Sequence, residues 1–146
     1  MFGLFNKKEK LQSFASLRTS KVKDKYFYRV TQWDWLNEQS IKVMDNHSPR
    51  IIKMDGWLQL VYLEANGKQT VTEFVLKMAS MYNEKEKMPE NLDAMILEHL
   101  QSLQSDKLID FSSRKSSLPY YIDLPKSQQD EAYALKLMKV DGFVKE

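Results

Sequence analysis

Residues 55–111 constrain the fold of this chain more than any other stretch, because three helical patterns follow one another there and lead into a short apolar segment. The first helix is predicted to begin after Asp55 and to end in the left-handed turn Asn66-Gly67. The second is predicted to follow Thr70, which together with Glu73 has the spacing of a capping box. Both helix starts are therefore specified by local side-chain chemistry.

The third helical pattern follows Pro89, whose fixed φ suits the first turn of a helix, and it ends at Ser105-Asp106. Leu108 to Phe111 then predicts a strand, the polar residues 112–117 a turn, and Tyr120-Tyr121-Ile122 a returning strand. Three helices followed by a hairpin is the order of a winged helix. The predicted inward face of the third helix consists of Leu92, Met95, Ile96, His99, Leu100 and Leu103.

The residues before this stretch predict strands. Tyr26 to Val30 is an aromatic run typical of a strand, and Trp33 and Trp35 follow in a second strand or an irregular turn. Ile41 to Met44 and Ile51 to Met54 flank a turn-rich loop, which predicts a β-hairpin leading into the first helix. We expect both tryptophans to pack in the core or on the hairpin; an aromatic contact surface for a peptide or a base is the alternative.

A last helix is predicted beyond Leu124-Pro125, with Ser127 as its cap and Asp141-Gly142 at its end. We expect this helix to dock on the domain, and a dimer-forming helix is the alternative. Its apolar stripe is formed by Tyr133, Leu137 and Val140.

Together these patterns predict an α+β fold, in which a winged-helix-like three-helix core has an N-terminal β-hairpin, wing strands and an extra C-terminal helix. We divide the chain into a basic N-terminal arm or extension at residues 1–25, the β-hairpin plus winged-helix domain at residues 26–126, and a C-terminal helix packed on that domain at residues 127–146. At 146 residues, the chain is long enough for one core and too short for two.

Positive charge is concentrated in the N-terminal part of the chain. Residues 1–54 hold 11 Lys and Arg against 5 Asp and Glu, whereas the remainder holds 11 against 15. We interpret the basic arm as a solvated terminus; the alternative is an arm for nucleic acid or an anionic membrane surface, with Phe2, Leu4 and Phe5 as an apolar tip. The apolar start has no basic region before it, so we expect no secretion signal.

The residue types that carry catalysis or bind metals are sparse or scattered. The absence of cysteine excludes disulfides and thiolate metal sites. His47 and His99 are far apart, and the four glycines form no phosphate-binding loop. The acidic run that begins at Glu84 is interleaved with lysines, so no carboxylate pair stands isolated for acid-base chemistry. We therefore predict a protein that is not an enzyme and that uses no cofactor or metal.

No apolar run approaches the roughly 20 residues that span a bilayer, so we expect a cytoplasmic protein.

The span Met54 to Val71, with the sequence MDGWLQLVYLEANGKQTV, resembles the PqqD-like family. In that family a strand ending in Leu-Asn precedes a helix, an Asp-Gly or similar turn follows, and Thr-Val opens the next helix. Phe74, Met81-Tyr82 and the helix from Leu92 continue the register, so the resemblance covers about residues 41–111. Members are small winged-helix peptide chaperones, or recognition elements for the leader segments of ribosomally made peptides, acting beside radical enzymes. The resemblance implies a peptide- or protein-binding module without catalysis.

The resemblance also implies where a peptide binds. In the PqqD-like family the peptide adds as a strand to the edge of the N-terminal β-sheet and lies against the third helix. That corresponds here to a groove between the hairpin of residues 41–54 and the exposed side of the helix of residues 92–103. A strand edge offers unpaired backbone groups to such a peptide. The predicted contacts are Arg50, Ile52 and Lys53 on the strand, with Asp93, Glu98 and Gln101 on the helix. The basic extension and the C-terminal helix lie outside the resemblance, and either could cover the groove.

DNA binding by a transcription regulator is the competing interpretation, because it is the commonest use of a winged helix. It requires Arg, Lys, Asn or Gln on the recognition helix and a basic wing. The third helix carries Glu90, Asp93 and Glu98 and no Lys or Arg, so phosphate would repel it. The residues that favour DNA are Arg114 and Lys115 in the predicted wing turn, with Lys21 and Lys23 in the basic arm. A structural subunit held through the C-terminal helix is the third alternative.

Overall fold

The computed structural model of the protein describes residues 14–47, 49–82 and 85–144. These residues form a mixed α/β structure with two small antiparallel sheets. The strands are β1 (Tyr26–Arg29), β2 (Trp33–Trp35), β3 (Ile41–Asp45), β4 (Arg50–Met54), β5 (Asn66–Thr70) and β6 (Ile109–Ser112). The α-helices are α1 (Ala15–Arg18), α2 (Gly56–Glu64), α3 (Val71–Ser80), α4 (Leu92–Ser105), α5 (Tyr120–Asp123) and α6 (Glu131–Val140). A 3-10 turn, Lys126–Gln128, lies between α5 and α6.

The helix α3 begins where the capping box predicts. The Glu73 backbone N–H donates to the Thr70 hydroxyl at 3.1 Å, and the Thr70 backbone N–H donates to the Glu73 carboxylate at 2.8 Å. The inward face of the helix is buried, with Phe74 and Val75 fully enclosed in the core. The predicted start of this helix is therefore confirmed.

The helix α2 begins after Asp55, as predicted, although the Asp55 side chain makes no capping hydrogen bond. Its exit differs from the prediction, because Asn66 and Gly67 begin the strand β5. Gly67 has a positive φ of 79°, and a Cβ there would lie 2.7 Å from the Ser116 hydroxyl oxygen. Glycine is needed at this position both for its backbone conformation and for the close approach of the chain at Ser116.

The helix α4 contributes the largest set of side chains to the core. It ends at Ser105, as predicted, but Asn91 is its N-cap, so Pro89 lies before the helix rather than in its first turn. His99 is half-buried, in agreement with the core or boundary position expected for it. The apolar residues buried on the inward face are Leu92, Ile96, Leu100 and Leu103.

The strands form two three-stranded sheets, in the orders β5–β1–β6 and β2–β3–β4. The predicted hairpin is confirmed as β3 and β4, which pair along their whole length. The aromatic run forms the central strand β1 of the other sheet. Trp33 is buried in the core, as expected, whereas Trp35 is 43% exposed and contacts the Trp33 ring edge to face.

The predicted wing strand is wrong. Tyr120, Tyr121 and Ile122 form the short helix α5 rather than a returning strand. This helix begins after Pro119, whose carbonyl accepts the Ile122 N–H at 3.0 Å. The physical reason is that the chain leaves β6 and reaches β5, where the Ser116 N–H donates to the Gly67 carbonyl at 2.8 Å. β1 is the strand that pairs with the whole of β6. The partner of β6 therefore comes from a strand that precedes the helices.

The C-terminal helix α6 is capped by Asp130 rather than by Ser127. The Tyr133 N–H donates to the Asp130 carboxylate at 2.9 Å, and Ser127 lies in the preceding 3-10 turn. The predicted apolar stripe is wrong in part, because Val140 is 75% exposed. α6 packs on α5 in a small apolar cluster outside the main core, and the dimer alternative stays a prediction. The buried members of this cluster are Tyr121, Ile122 and Ala134.

The described part of the basic extension packs on the rest of the domain. Leu17 of α1 is fully buried, and its N–H donates to the Asp93 carboxylate at 3.0 Å. The carbonyls of Lys23 and Lys25 accept the first backbone N–H groups of α3. Residues 1–13, which hold the predicted apolar tip and the first lysines of the arm, lie outside the described residues.

Candidate functional site

The candidate site is identified from the direction in which the backbone groups of β3, the central strand of its sheet, form hydrogen bonds. The Met44 N–H donates to the Gln32 carbonyl at 2.9 Å, so the backbone groups of Met44 point toward β2. Backbone groups of successive residues in an antiparallel strand point alternately to the two neighbouring strands. Ile41, Val43 and Asp45 therefore direct their backbone groups toward β4.

The outer strand β4 consequently has backbone groups that face away from the sheet. Arg50, Ile52 and Met54 lie opposite the β3 residues that bond toward β4. The N–H and C=O groups of Ile51 and Lys53 therefore point outward. Among the residues that the structure describes, no backbone group outside the hairpin bonds to either residue. β4 thus presents an open hydrogen-bonding edge.

The opposite edge of the same sheet, at β2, is covered by the C-terminal segment. The Ser127 hydroxyl donates to the Asp34 carboxylate at 2.7 Å, and the Gln32 side-chain amide donates to the Tyr121 carbonyl at 3.4 Å. Burial alone would raise the pKa of Asp34, but hydrogen bonds from Ser127 and from the Trp35 backbone together hold that pKa below its usual value. The sequence gives no signal for this contact, because Asp34 and Ser127 are 93 residues apart.

The edges of the other sheet are partly occupied. At β5 the Gly67 carbonyl accepts the Ser116 backbone N–H at 2.8 Å. At β6 the Phe111 N–H donates to the neighbouring Asp110 carboxylate at 2.8 Å. A cavity of about 260 Å³ lies beside the start of β6, and its lining residues are Val30, His47, Gln104, Lys107, Ile109 and Asp110. At β4, by contrast, neither outward N–H has a hydrogen-bond partner among the described residues.

The side chains of β4 divide between two faces of the sheet. Ile52, a predicted contact, lies opposite Val43 and is half-buried against the core. Ile51 lies on the other face and is 65% exposed. Lys53 is exposed on that same outer face, opposite Lys42. Sequence reasoning missed Ile51; the alternation of the strand, anchored on the buried Met54, is the signal that could have found it.

Arg50 is committed to a contact within the hairpin. Its Nε lies 2.8 Å from the carboxylate of Asp45, whose side chain is only 3% exposed. The hydrogen bond from Arg50, together with the backbone N–H of His47, holds the pKa of Asp45 below its usual value. The positive charge of Arg50 is therefore compensated, whereas Lys53 forms no ion pair with any of the described residues.

The predicted helix contacts separate into two groups. Glu98 and Gln101 are exposed on α4, and within the described ranges neither side chain has a hydrogen bond or ion pair with β4. Asp93 is 5% exposed and accepts the Leu17 N–H. Its predicted place on the exposed side of the helix is wrong, because α1 packs over this part of α4. The C-terminal helix packs on α5 and makes its apolar contacts there.

The residues predicted as DNA contacts lie toward one end of the β5–β1–β6 sheet. Arg114 and Lys115 are exposed just after β6, and Lys21 and the partly exposed Lys23 precede β1. Tyr26 pairs with Ser112 at this end of the sheet, which brings the two basic segments toward each other. The two segments thus share one end of the sheet, although α5 replaces the predicted wing strand.

A buried arginine that sequence reasoning missed connects the sheet region to the C-terminal segment. Arg29 is 4% exposed, and its guanidinium donates to the Leu63 carbonyl at 2.5 Å and to the Asp123 carbonyl at 3.3 Å. The guanidinium carbon also lies 5.6 Å from the centre of the Tyr62 ring. Arg29 thereby ties β1, the end of α2 and α5 together, which is a structural role.

Within the described part of the chain, no group of three or more His, Asp or Glu side chains is arranged to hold a metal ion. In that same part, no helix is long and apolar enough to cross a bilayer. Comparisons of the chain with protein-family models, with curated proteins and with solved structures give no match. The candidate site therefore rests on its geometry and chemistry.

Proposed function

We propose that this protein is a non-catalytic peptide- or protein-binding module that takes up an extended peptide as an added strand on the outer edge of β4, beside α4. The observation that carries the proposal is the open edge itself, where the backbone groups of Ile51 and Lys53 point away from the sheet. An extended peptide gains ladder hydrogen bonds at such an edge, and its alternate side chains provide specificity.

The surroundings of β4 support this proposal. The other edge of its sheet is occupied by the Ser127 contact to Asp34, so β4 is the edge of this sheet that can accept a strand. Ile52 gives the inner side of β4 an apolar surface continuous with the core. Glu98 and Gln101 are exposed on α4, so their side chains are available to a peptide that reaches the helix.

We include the PqqD-like resemblance in the proposal, and the order of the elements is the observation that supports its inclusion. The sheet β2–β3–β4 precedes the helices α2, α3 and α4, as the resemblance implies for an N-terminal sheet and a third helix. In a winged-helix-like reading, β1 takes the place beside β6 that a returning wing strand would fill. The helix α1 and the segment from Leu118 onward are additions to that plan.

A selection experiment tests the proposed function. A displayed library of random linear peptides is selected against the full chain, and the selected peptides are titrated into the ¹⁵N-labelled protein. We expect the largest amide shift changes at Ile51 and Lys53, with smaller ones along α4. Lys53→Pro removes the outward N–H and should abolish binding, whereas the control Lys53→Ala keeps that N–H and should retain binding. Peptides that bind equally well to the Lys53→Pro variant would overturn the proposal.

A DNA-binding function is the second candidate, because Arg114, Lys115, Lys21 and Lys23 lie toward the same end of one sheet. Binding of random duplex DNA, measured at about 50 and 200 mM salt, tests it, since phosphate-driven affinity falls steeply over that range. Tight, salt-sensitive binding that is lost in the double variant Arg114→Glu, Lys115→Glu would favour DNA. Our proposal predicts weak binding that does not depend on these two residues.

A further inference from the structure

The outer face of the β2–β3–β4 sheet carries a row of charged side chains that is incomplete at β4. Asp34 lies opposite Lys42, and Lys42 lies opposite Lys53. The row across the three strands is therefore negative, positive, positive. Like charges directly opposite each other destabilise a strand pair, whereas opposite charges stabilise it. An anion on the open side of Lys53 would give this lysine an oppositely charged neighbour across the sheet.

The described residues supply no such anion. Asp34 is two strands away and is bonded to Ser127 and to the Trp35 backbone. Asp55 is exposed two residues after Lys53 and forms no ion pair with it among the described residues. Arg50, the other cation of β4, is already paired with Asp45. Lys53 is thus a cation of the open edge whose neighbour across the sheet is another cation.

The adjacent row on the same face is apolar at its outer end. Met44 lies opposite Ile51, and the Ile51 side chain is 65% exposed. Ile51 and Lys53 are also the two residues whose backbone groups point outward. A strand added to β4 would therefore pair with these two residues, and its own paired residues would stand on the outer face, two positions apart.

We infer that the peptide taken up at β4 carries an acidic side chain and an aliphatic side chain two positions apart, the acidic one opposite Lys53 and the aliphatic one opposite Ile51. This inference rests on the proposed strand addition and specifies the chemistry of its ligand. Lysine on an edge strand also guards against pairing with other chains. A guard alone predicts that neither neutral nor acidic peptides pair with β4, and this difference makes the two roles separable.

Synthetic peptides test the inference. They have about eight residues, the length of a typical strand, with Thr and Val on either side of a central Glu-Thr-Ile, and both this order and Ile-Thr-Glu are used because the peptide direction is open. Matched peptides replace Glu by Gln or by Lys. We expect the Glu peptide to bind about threefold more tightly than the Gln peptide and about tenfold more tightly than the Lys peptide.

Protein variants make the test specific to this lysine. Lys53→Glu should reverse the order, so that the Lys peptide binds best. Lys53→Ala should retain binding and lose the charge preference. Lys136→Glu, at an exposed position on α6, changes the net charge by the same amount as Lys53→Glu and should keep the wild-type order.

The outcomes separate the inference from the function on which it rests. Equal binding of the Glu and Gln peptides, with shift changes at β4, would overturn the inference and leave strand addition standing. A preference for Glu that Lys136→Glu removes as fully as Lys53→Glu does would also overturn it, because net charge would then be the cause. If neither these nor library-selected peptides shift the amides of β4, the proposed function fails first.

Discussion

The two edges of the β2–β3–β4 sheet are treated differently by the rest of the chain. At β2, the Ser127 hydroxyl and the Gln32 amide contribute polar contacts to the C-terminal segment. At β4, the outward backbone groups of Ile51 and Lys53 have no such cover among the described residues. The two edges of this sheet are therefore protected by different means, a covering segment at β2 and charged side chains at β4.

The covering segment is itself attached in a particular way. Its apolar residues, such as Tyr121 and Ala134, pack with one another in a cluster outside the main core. Its contacts to the sheets are largely polar, and the buried Arg29 is the most enclosed of them. Loss of a few of these hydrogen bonds should therefore release the segment from β2, whereas it should leave the edge at β4 unchanged.

The largest expected effect follows from removing Arg29. Arg29→Ala leaves the Leu63 carbonyl without its donor and breaks the link to Asp123, which should lower the free energy of unfolding by about 3 kcal/mol. The measurement is urea denaturation. Asp123→Ala is the control: the Asp123 side chain is 61% exposed, so its ion pair should contribute at most about 1 kcal/mol. Equal losses in the two variants would contradict the assigned role of Arg29.

Proline substitutions in β4 compare the energetic contribution of an inward-facing amide with that of an outward-facing one. Ile52→Pro removes an amide that faces Val43 and disturbs a half-buried side chain, so it should cost about 2 to 3 kcal/mol of unfolding free energy. Lys53→Pro removes an outward amide and should cost less than about 1 kcal/mol. Denaturation of both variants measures the difference. A larger loss for Lys53→Pro would mean that the hydrogen-bonding pattern assigned to β4 is inverted.

The smallest expected effect concerns pH and the cover over β2. The pKa of Asp34 is lower in the folded protein than its ordinary value of 3.8, so the ionised form is favoured by folding. Its stabilising contribution is therefore present above about pH 4 and is lost as the pH falls through the lowered pKa. Wild type should lose more stability between about pH 5 and pH 3 than the variant Asp34→Asn does. Urea denaturation at the two pH values measures these losses, and the same loss in wild type and in Asp34→Asn would contradict this assignment.

The sequence predicted the local features well because they depend on neighbouring residues. The capping box of Thr70 and Glu73 is confirmed, and so are the end of α4 at Ser105 and the β3–β4 hairpin. These features need only backbone chemistry and short-range apolar spacing. Their outcome does not depend on which other segment packs against them.

The incorrect predictions concern segments whose conformation depends on distant partners. Asn66-Gly67 reads locally as a helix exit but extends into β5, because β1 pairs with it from about 40 residues earlier. Asp93 reads as an exposed helix residue but is buried by α1. The candidate site itself was predicted as a strand and a helix. Strand alternation identifies Ile51 rather than Ile52 as the exposed residue only once the inward position of Met54 is known.

Amide hydrogen exchange measured by NMR reports whether the outer edge of β4 is open in the protein. The Ile51 and Lys53 amides should exchange rapidly in the protein without peptide, while the Ile52 and Met54 amides of the same strand are protected. A bound peptide should then protect Ile51 and Lys53 selectively. Strong protection of these two amides in the protein alone would show that another part of the chain already covers the edge, and would contradict the account.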